Sequence, residues 1–298
     1  MNSRIAVLVL LVSSTGWGLT WLPLKGLNAM GLDSMQLILI AFASAALLLM
    51  PWFIKQYPFW KNSLKLMFMI ALAGGFANAS FQTAIYHGDV IRVMILFYML
   101  PVWSVIGGRI FLKEKIDSIR IIAVVLCLTG AYIILDVWNS SWLRVTWIDV
   151  LAIGSGFGLA ANNILFRFTQ DIPINSKVTS MFLGCTVLMG LSTLIYSTPV
   201  KSPDNYAIPL AILYGAVWLT LITFGTQWAV TQMEAGRSAI IIVMELVAAV
   251  LSVALLTSAD LKIYEIIGGL MVLSAAILEG TRSDDVQPDG KKLSTLTS

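Results

Sequence analysis

Apolar residues arrive in long, nearly unbroken runs. Ten stretches are made almost wholly of Leu, Ile, Val, Ala, Phe, Met and Trp: residues 5–24, 35–54, 66–86, 90–111, 119–138, 147–167, 178–198, 207–230, 238–257 and 262–280. A helix needs about 20 such residues to cross the hydrocarbon of a bilayer. Lipid offers the backbone no partner, so a crossing segment must satisfy its own amides. The pattern predicts ten transmembrane helices. Charges, prolines and asparagines collect in the short connections, none long enough to be a separate domain.

Composition agrees: 58% of the residues are hydrophobic and 12% charged, with a mean hydropathy of +0.86. A soluble globule cannot hide that much apolar surface. The charges that remain set an orientation. With the N-terminus in the cytoplasm, Lys25, Arg144, Lys201 and Lys262 fall outside, Arg92 opens the fourth span, and the other fourteen of the 19 basic residues fall inside. This bias is the signature of a cytoplasmic membrane protein with both termini inside. It places the clusters at 55–65 and 109–120 in the cytoplasm and the segment 139–146, with Ser140, outside. The net charge of +3 therefore reads as topology, and no nucleic-acid partner is expected. The tail after Gly280 is polar, has no apolar face and is expected to be disordered. The first span is too long for a cleaved leader and carries the polar run Ser13-Ser14-Thr15-Gly16. Cys127 and Cys185 lie inside spans and are expected to be unpaired. One His and two Cys leave almost no vocabulary for a metal site, and no cofactor is expected.

The chain also resembles itself. At a shift of 145 residues, Leu128-Thr129-Gly130-Ala131 faces Leu273-Ser274-Ala275-Ala276, Arg92 faces Arg237 and Ile95 faces Ile240. At a shift of 140, Gly16-Trp17-Gly18-Leu19 faces Gly156-Phe157-Gly158-Leu159. Spans 1–5 (residues 1–140) and 6–10 (141–280) thus read as two halves, followed by the tail 281–298. Five is odd, so the second half enters the membrane from the opposite side. The expected fold class is an all-α integral membrane protein, ten helices in two inverted five-helix repeats. Such an architecture gives two related states, each open to one side, with a site between the halves near the midplane.

Polar side chains inside the hydrocarbon are costly and normally face the bundle interior. Glu245, in the middle of span 9, is the outlier. Three roles compete for it: a proton carrier, a site for a substrate cation, or a neutral acid that hydrogen-bonds a neighbouring helix. Gly74, Asn78, Gln82 and Tyr86 recur every four residues on one stripe of span 3, able to bond a ligand or to hold helices together. Asn162 and Asn163 interrupt span 6, and Ser155 lies on the Asn162 face. Trp52, Trp60, Trp138, Trp142 and Trp147 fit an interfacial belt. Trp17, Trp103, Trp218, Tyr98 and Tyr214 lie deeper, where they either pack or stack on a ligand. The expected pocket lining is Trp17, Asn78, Gln82, Tyr98, Trp103, Asn162, Trp218 and Glu245. Pro101 removes a backbone donor and should kink or locally open span 4; span 9 has no counterpart proline, so the halves are not chemically equivalent.

Several segments carry a resemblance. These are Trp17-Gly18-Leu19-Thr20-Trp21-Leu22-Pro23-Leu24-Lys25 in span 1, Leu96-Phe97-Tyr98-Met99-Leu100-Pro101 in span 4, and the loop Lys113-Glu114-Lys115, where Lys113 stands in place of a Gly. Val243-Met244-Glu245-Leu246 in span 9 keeps a Glu but has Leu246 where Pro is common. Together they resemble the EamA-type members of the drug/metabolite transporter superfamily. The resemblance implies a ten-helix basket of inverted halves that moves a small metabolite, and leaves the metabolite open.

The reading that follows is a secondary transporter of the cytoplasmic membrane, not an enzyme. Its partners are the lipid bilayer and a small-molecule substrate, most simply an amino acid or related compound, exported, with proton coupling through Glu245 among the three roles above. Uptake or exchange of organic cations, drugs or other metabolites is the alternative. No nucleotide loop or cytoplasmic domain suggests an ATP-driven pump. An intramembrane hydrolase built on Gly154-Ser155-Gly156 and His87 lacks an oriented third member. A channel would need a charged ring or a filter loop.

Overall fold

The computed structural model describes residues 3–136, 145–195, 203–257 and 261–281, and every regular element among them is helical. Position 140 and the deep or interfacial tryptophans 138 and 142 lie outside the described residues, as does the tail beyond 281. Among the described residues nine helical segments are long and apolar enough to cross a bilayer, and a further apolar helix, Ser118–Ile134, is shorter. In chain order the helices are α1 (Ser3–Gly18) and α2 (Trp21–Ala29), α3 (Ser34–Lys55), α4 (Tyr57–Trp60) and α5 (Leu64–His87), α6 (Val90–Phe97) and α7 (Leu100–Phe111), and α8 (Ser118–Ile134). Then follow α9 (Trp147–Phe168), α10 (Ile174–Ile195), α11 (Ala207–Leu213) and α12 (Thr220–Gln232), α13 (Ala235–Ile242) and α14 (Met244–Thr257), and α15 (Ile263–Gly280).

The helix starts have local causes. Asp33, Asp89 and Asp117 stand at N-caps and accept from the amides of Met35, Arg92 and Arg120 at 3.0, 2.8 and 2.9 Å. Each satisfies one of the amides that a first helical turn leaves free. At α9 the Thr146 amide donates to Asp149 at 2.6 Å, a reciprocal cap.

Three spans are broken at mid-depth. The first parts at Leu19–Thr20, the fourth at Tyr98–Met99 and the ninth at Val243. The fourth breaks as its sequence predicts: Pro101 has no amide to give the Phe97 carbonyl. The ninth breaks without a proline. There the Leu246 amide turns to the Val243 carbonyl at 3.0 Å, a tightened turn in place of the regular ladder. Span 8 changes pitch instead, through a π-helical turn at Tyr214–Leu219 between α11 and α12.

Glycine lets neighbouring backbones reach these breaks. A Cβ at Gly156 of α9 would sit 2.5 Å from the Phe97 carbonyl oxygen, and a Cβ at Gly18 of α1 would collide with the Glu245 carbonyl. So α9 lies against the break of the fourth span and α1 against that of the ninth. Elsewhere α8 packs along α15, α5 along α9 and α10, α3 along α10 and the π-helical turn, α1 along α12, and α13 against α7. Small residues line these seams, as close helix packing in lipid requires.

Candidate functional site

The two breaks meet. Tyr98 closes α6, Glu245 sits in the first turn of α14, and the Tyr98 hydroxyl donates to Glu245 Oε1 at 3.0 Å. Beside this pair lies a cavity of about 260 Å³. Its aromatic wall is Trp17, Trp21, Phe42, Phe81, Phe97 and Tyr98; its polar wall is Ser14, Thr20, Asn78, Gln82, Thr223, Thr226 and Gln227. Glu245 is the one acid among the described lining residues, and no Lys, Arg or His joins it. The cavity is drawn from spans 1, 2, 3, 4, 6, 7, 8 and 9, so it lies inside the bundle rather than at its rim.

Some polar groups of the wall are held and others are open. Asn78 Nδ2 donates back to the Gly74 carbonyl at 2.8 Å, and Trp21 Nε1 donates to Ser252 Oγ at 2.9 Å. Among the described residues no donor reaches the second carboxylate oxygen of Glu245, and the Gln82 amide has no hydrogen-bond partner. Gln227 Nε2 donates to Asn163 Oδ1 at 3.3 Å, and Asn162 Nδ2 donates to Gln227 Oε1 at 3.4 Å.

Of the eight side chains expected in the pocket, Trp17, Asn78, Gln82, Tyr98 and Glu245 line the cavity. The other three lie elsewhere. Trp103 packs edge-on against Phe157, with ring centroids 5.9 Å apart, one helical turn past the Pro101 break. Asn162 is fully buried one layer behind the wall, where it orients Gln227. Trp218 belongs to the π-helical turn and packs against the core between α3 and α10. Depth alone placed these three in the pocket; rotation about each helix axis takes them out of it. Conversely, Gln227, Thr223 and Thr226 were not singled out. With Thr220 they form a polar stripe on α12 at helical spacing, the same signal that identified Asn78 and Gln82. Ser155 does not face the cavity: its hydroxyl donates to the Ala152 carbonyl at 2.7 Å within α9.

Residues 4–136 match the model of the EamA-like transporter family. Over these residues, just under half of the chain, the sequence is similar to that family. That family is one of transporters, and nine described helices of this chain are long and apolar enough to cross a membrane. A riboflavin transporter of Brucella anthropi is 24% identical over 144 residues, 47% of this chain and 51% of that protein. The chain thus matches only about half the length of that relative. An uncharacterized transporter of Buchnera aphidicola subsp. Schizaphis graminum is 21% identical over 211 residues, 68% of each chain. A solved crystal structure shares the fold, with a TM-score of 0.71 over 93% of this chain and 98% of that one at 13% identity.

The loop that carries Lys113-Glu114-Lys115 closes the face on which α7, α9 and α12 end. Glu114 accepts from the Ala235 amide at 2.9 and 3.0 Å, so it caps α13 from another part of the chain. It also pairs with Arg167 at 3.0 Å. Burial pushes the Glu114 carboxyl up from the usual carboxylate range, while the Arg167 guanidinium and the Ala235 amide pull it down. Behind it Arg120, 1% exposed, pairs with Glu234 and with Glu279, the latter at 3.3 Å. The Arg167 guanidinium also donates to the Met233 carbonyl. Lys113 has φ 56°, the left-handed conformation that a glycine adopts without strain. On the opposite face Arg92 of the fourth span pairs with Asp149 of the sixth at 2.6 Å.

Proposed function

We propose that this protein is a secondary active transporter of the cytoplasmic membrane, working by alternating access on a small metabolite held in the Glu245 cavity. One observation carries the reading: the breaks of two spans, the deep carboxylate and the cavity coincide in the middle of the bundle. Broken helices supply unsatisfied backbone and hinge freedom where a transporter needs both. Ten crossings, both termini inside and two inverted five-helix halves complete the proposal. The packing supports the inversion. Exchange each span with the one five places away, and the neighbour pairs 1–8 and 3–6 interchange, as do 1–9 and 4–6, and 2–8 and 3–7. Pairs 2–7, 4–9 and 5–10 return to themselves, and all are occupied.

Glu245 is then the coupling group. A carboxylate inside the hydrocarbon is tolerated when it holds a proton or a cation, so its occupancy can be tied to the access state. Candidate substrates are amino acids and related compounds, with export as the proposed direction. Riboflavin enters the panel because of the Brucella anthropi relative's name. The test is a competition screen in proteoliposomes with amino acids, nucleosides, quaternary amines and riboflavin. It is followed by uptake of the winning compound under an imposed pH gradient. Glu245→Gln should still exchange that compound yet fail to concentrate it. Concentrative transport by the variant at the wild-type rate assigns Glu245 a structural role.

A further inference from the structure

We infer that the cavity selects a small organic cation, an amine on a flat aromatic or apolar body, and rejects compounds that carry a carboxylate. The inference rests on the transport reading above and, within its panel, replaces the amino acids with their decarboxylated, purely cationic relatives. The charge inventory of the wall is its basis. Glu245 is the one acid, Tyr98 is the titratable group that faces it, and no Lys, Arg or His lines the cavity among the described residues. Tyr98 occupies only one carboxylate oxygen, which leaves the other to receive an N–H from a ligand. An anionic ligand would have nothing to answer its charge. It would also share a poorly hydrated chamber with Glu245, where like charges repel far more strongly than in water.

The rest of the wall fits a cation too. Trp17, Trp21, Phe81 and Phe97 line the same cavity as the carboxylate. Aromatic faces attract a cation through the ring quadrupole and also stack on a flat apolar body. Gln82 and Gln227 supply amide oxygens that accept from an ammonium group. The volume of about 260 Å³ lies just below the range typical of drug-sized ligands, so the ligand is small. Lys25 is a base that reaches the ring of one cavity residue, Trp21. It is exposed, with Nζ 5.9 Å from the Trp21 ring centroid, and lies outside the cavity wall. Water and salt screen a charge placed there. A free amino acid pairs its ammonium with Glu245 only by bringing an unanswered carboxylate along.

Three compounds with one ring system separate the charge types: tryptamine, tryptophan and indole-3-acetate. Binding of radiolabelled tryptamine is measured on the full-length protein in lipid nanodiscs, at neutral pH and fixed salt. Saturable binding is expected, displaced by unlabelled tryptamine but not by tryptophan or indole-3-acetate at matched concentration. Glu245→Gln should weaken tryptamine about tenfold or more, as loss of a desolvated charge partner does, and Lys25→Gln should leave it unchanged. The wild-type displacement data stand without the variant, should Glu245→Gln fold poorly. No saturable tryptamine binding, or displacement by indole-3-acetate as effective as by tryptamine, overturns the inference. The underlying site reading is judged separately, with whichever compound of the broader panel binds. If that compound is acidic or neutral and Trp17→Ala removes its binding, the charge type is wrong and the cavity stands. If its binding ignores Trp17→Ala, Gln82→Ala and Glu245→Gln alike, the cavity itself is wrongly chosen.

Discussion

Single residues set the terms on which this bundle can hold polar chemistry. Glu245 was legible from the sequence because an acid in the middle of an apolar run has few bland explanations. Tyr98 was legible only as a deep aromatic; that its hydroxyl answers Glu245 from 147 positions away needs the fold. Tyr98→Phe keeps the ring and removes the donor. It should leave the protein folded and change the affinity for the bound compound by several-fold, read by the same nanodisc binding measurement. A Tyr98→Phe variant identical to wild type in affinity and in pH dependence would show that the hydrogen bond is idle. Lys113 offers a test of stability alone. Its φ of 56° costs an L-residue roughly 1 kcal/mol or more. Lys113→Gly should therefore raise the thermal midpoint in detergent, provided that the exposed ammonium contributes little. A lower midpoint would mean that the Lys113 side chain holds more than its backbone loses.

At the scale of helices the sequence was most informative about existence and least informative about rotation and breaks. The runs coincide with the nine long apolar helices and the shorter Ser118–Ile134 of the described residues, because lipid demands continuous apolar length. They could not say which way a side chain turns when a helix is apolar all round, and Trp103, Asn162 and Trp218 show it. Nor could they show the break at Val243, which no proline announces and beside which α1 makes its close approach at Gly18. The matching approach at Gly156 gives a sharp prediction. Gly156→Leu puts a side chain against the Phe97 carbonyl, so α9 must shift away from the fourth span. Overpacking of this kind costs typically 1–3 kcal/mol. The midpoint should fall and binding should weaken, because Phe97 and Tyr98 move together. Gly154→Ala, which meets only the Phe76 ring at 3.2 Å, is the milder control. If both variants behave alike, α9 does not depend on that approach. Pro101→Ala addresses the other side of the break. It restores an amide at position 101 and removes the bar to a straight helix, and transport should slow while the fold survives.

For the whole molecule the decisive question is whether the two faces open in turn. Orientation comes first. Cysteine at Asn62, on the loop before α5, should be protected from an impermeant thiol reagent added to intact cells, and cysteine at Asn205, just before α11, should react. Cys127 and Cys185 are buried, so the background is low, and the reverse pattern would invert the proposed topology. The two faces are held by different locks. On the α7–α9–α12 end, Glu114 joins the loop after the fourth span to Arg167 and to the start of α13, with Arg120, Glu234 and Glu279 behind it. On the other face Arg92 holds Asp149. A protein that alternates must release one lock while the other stays closed, so weakening each should shift the population in opposite directions. Glu114→Ala removes both a helix cap and an ion-pair partner, about 2 kcal/mol by the cap and pair together. That should favour the state open toward the cytoplasm. Asp149→Asn should favour the other. A cysteine at Thr226, on the cavity wall, reports both: its labelling by an impermeant reagent should rise in inside-out vesicles with Glu114→Ala and fall with Asp149→Asn. Tenfold in population corresponds to about 1.4 kcal/mol, so the Glu114 lock alone should shift labelling rates measurably. Equal effects of the two variants, in the same direction, would mean that the ion pairs only stabilise the fold, and the alternating mechanism would have to find its gates elsewhere.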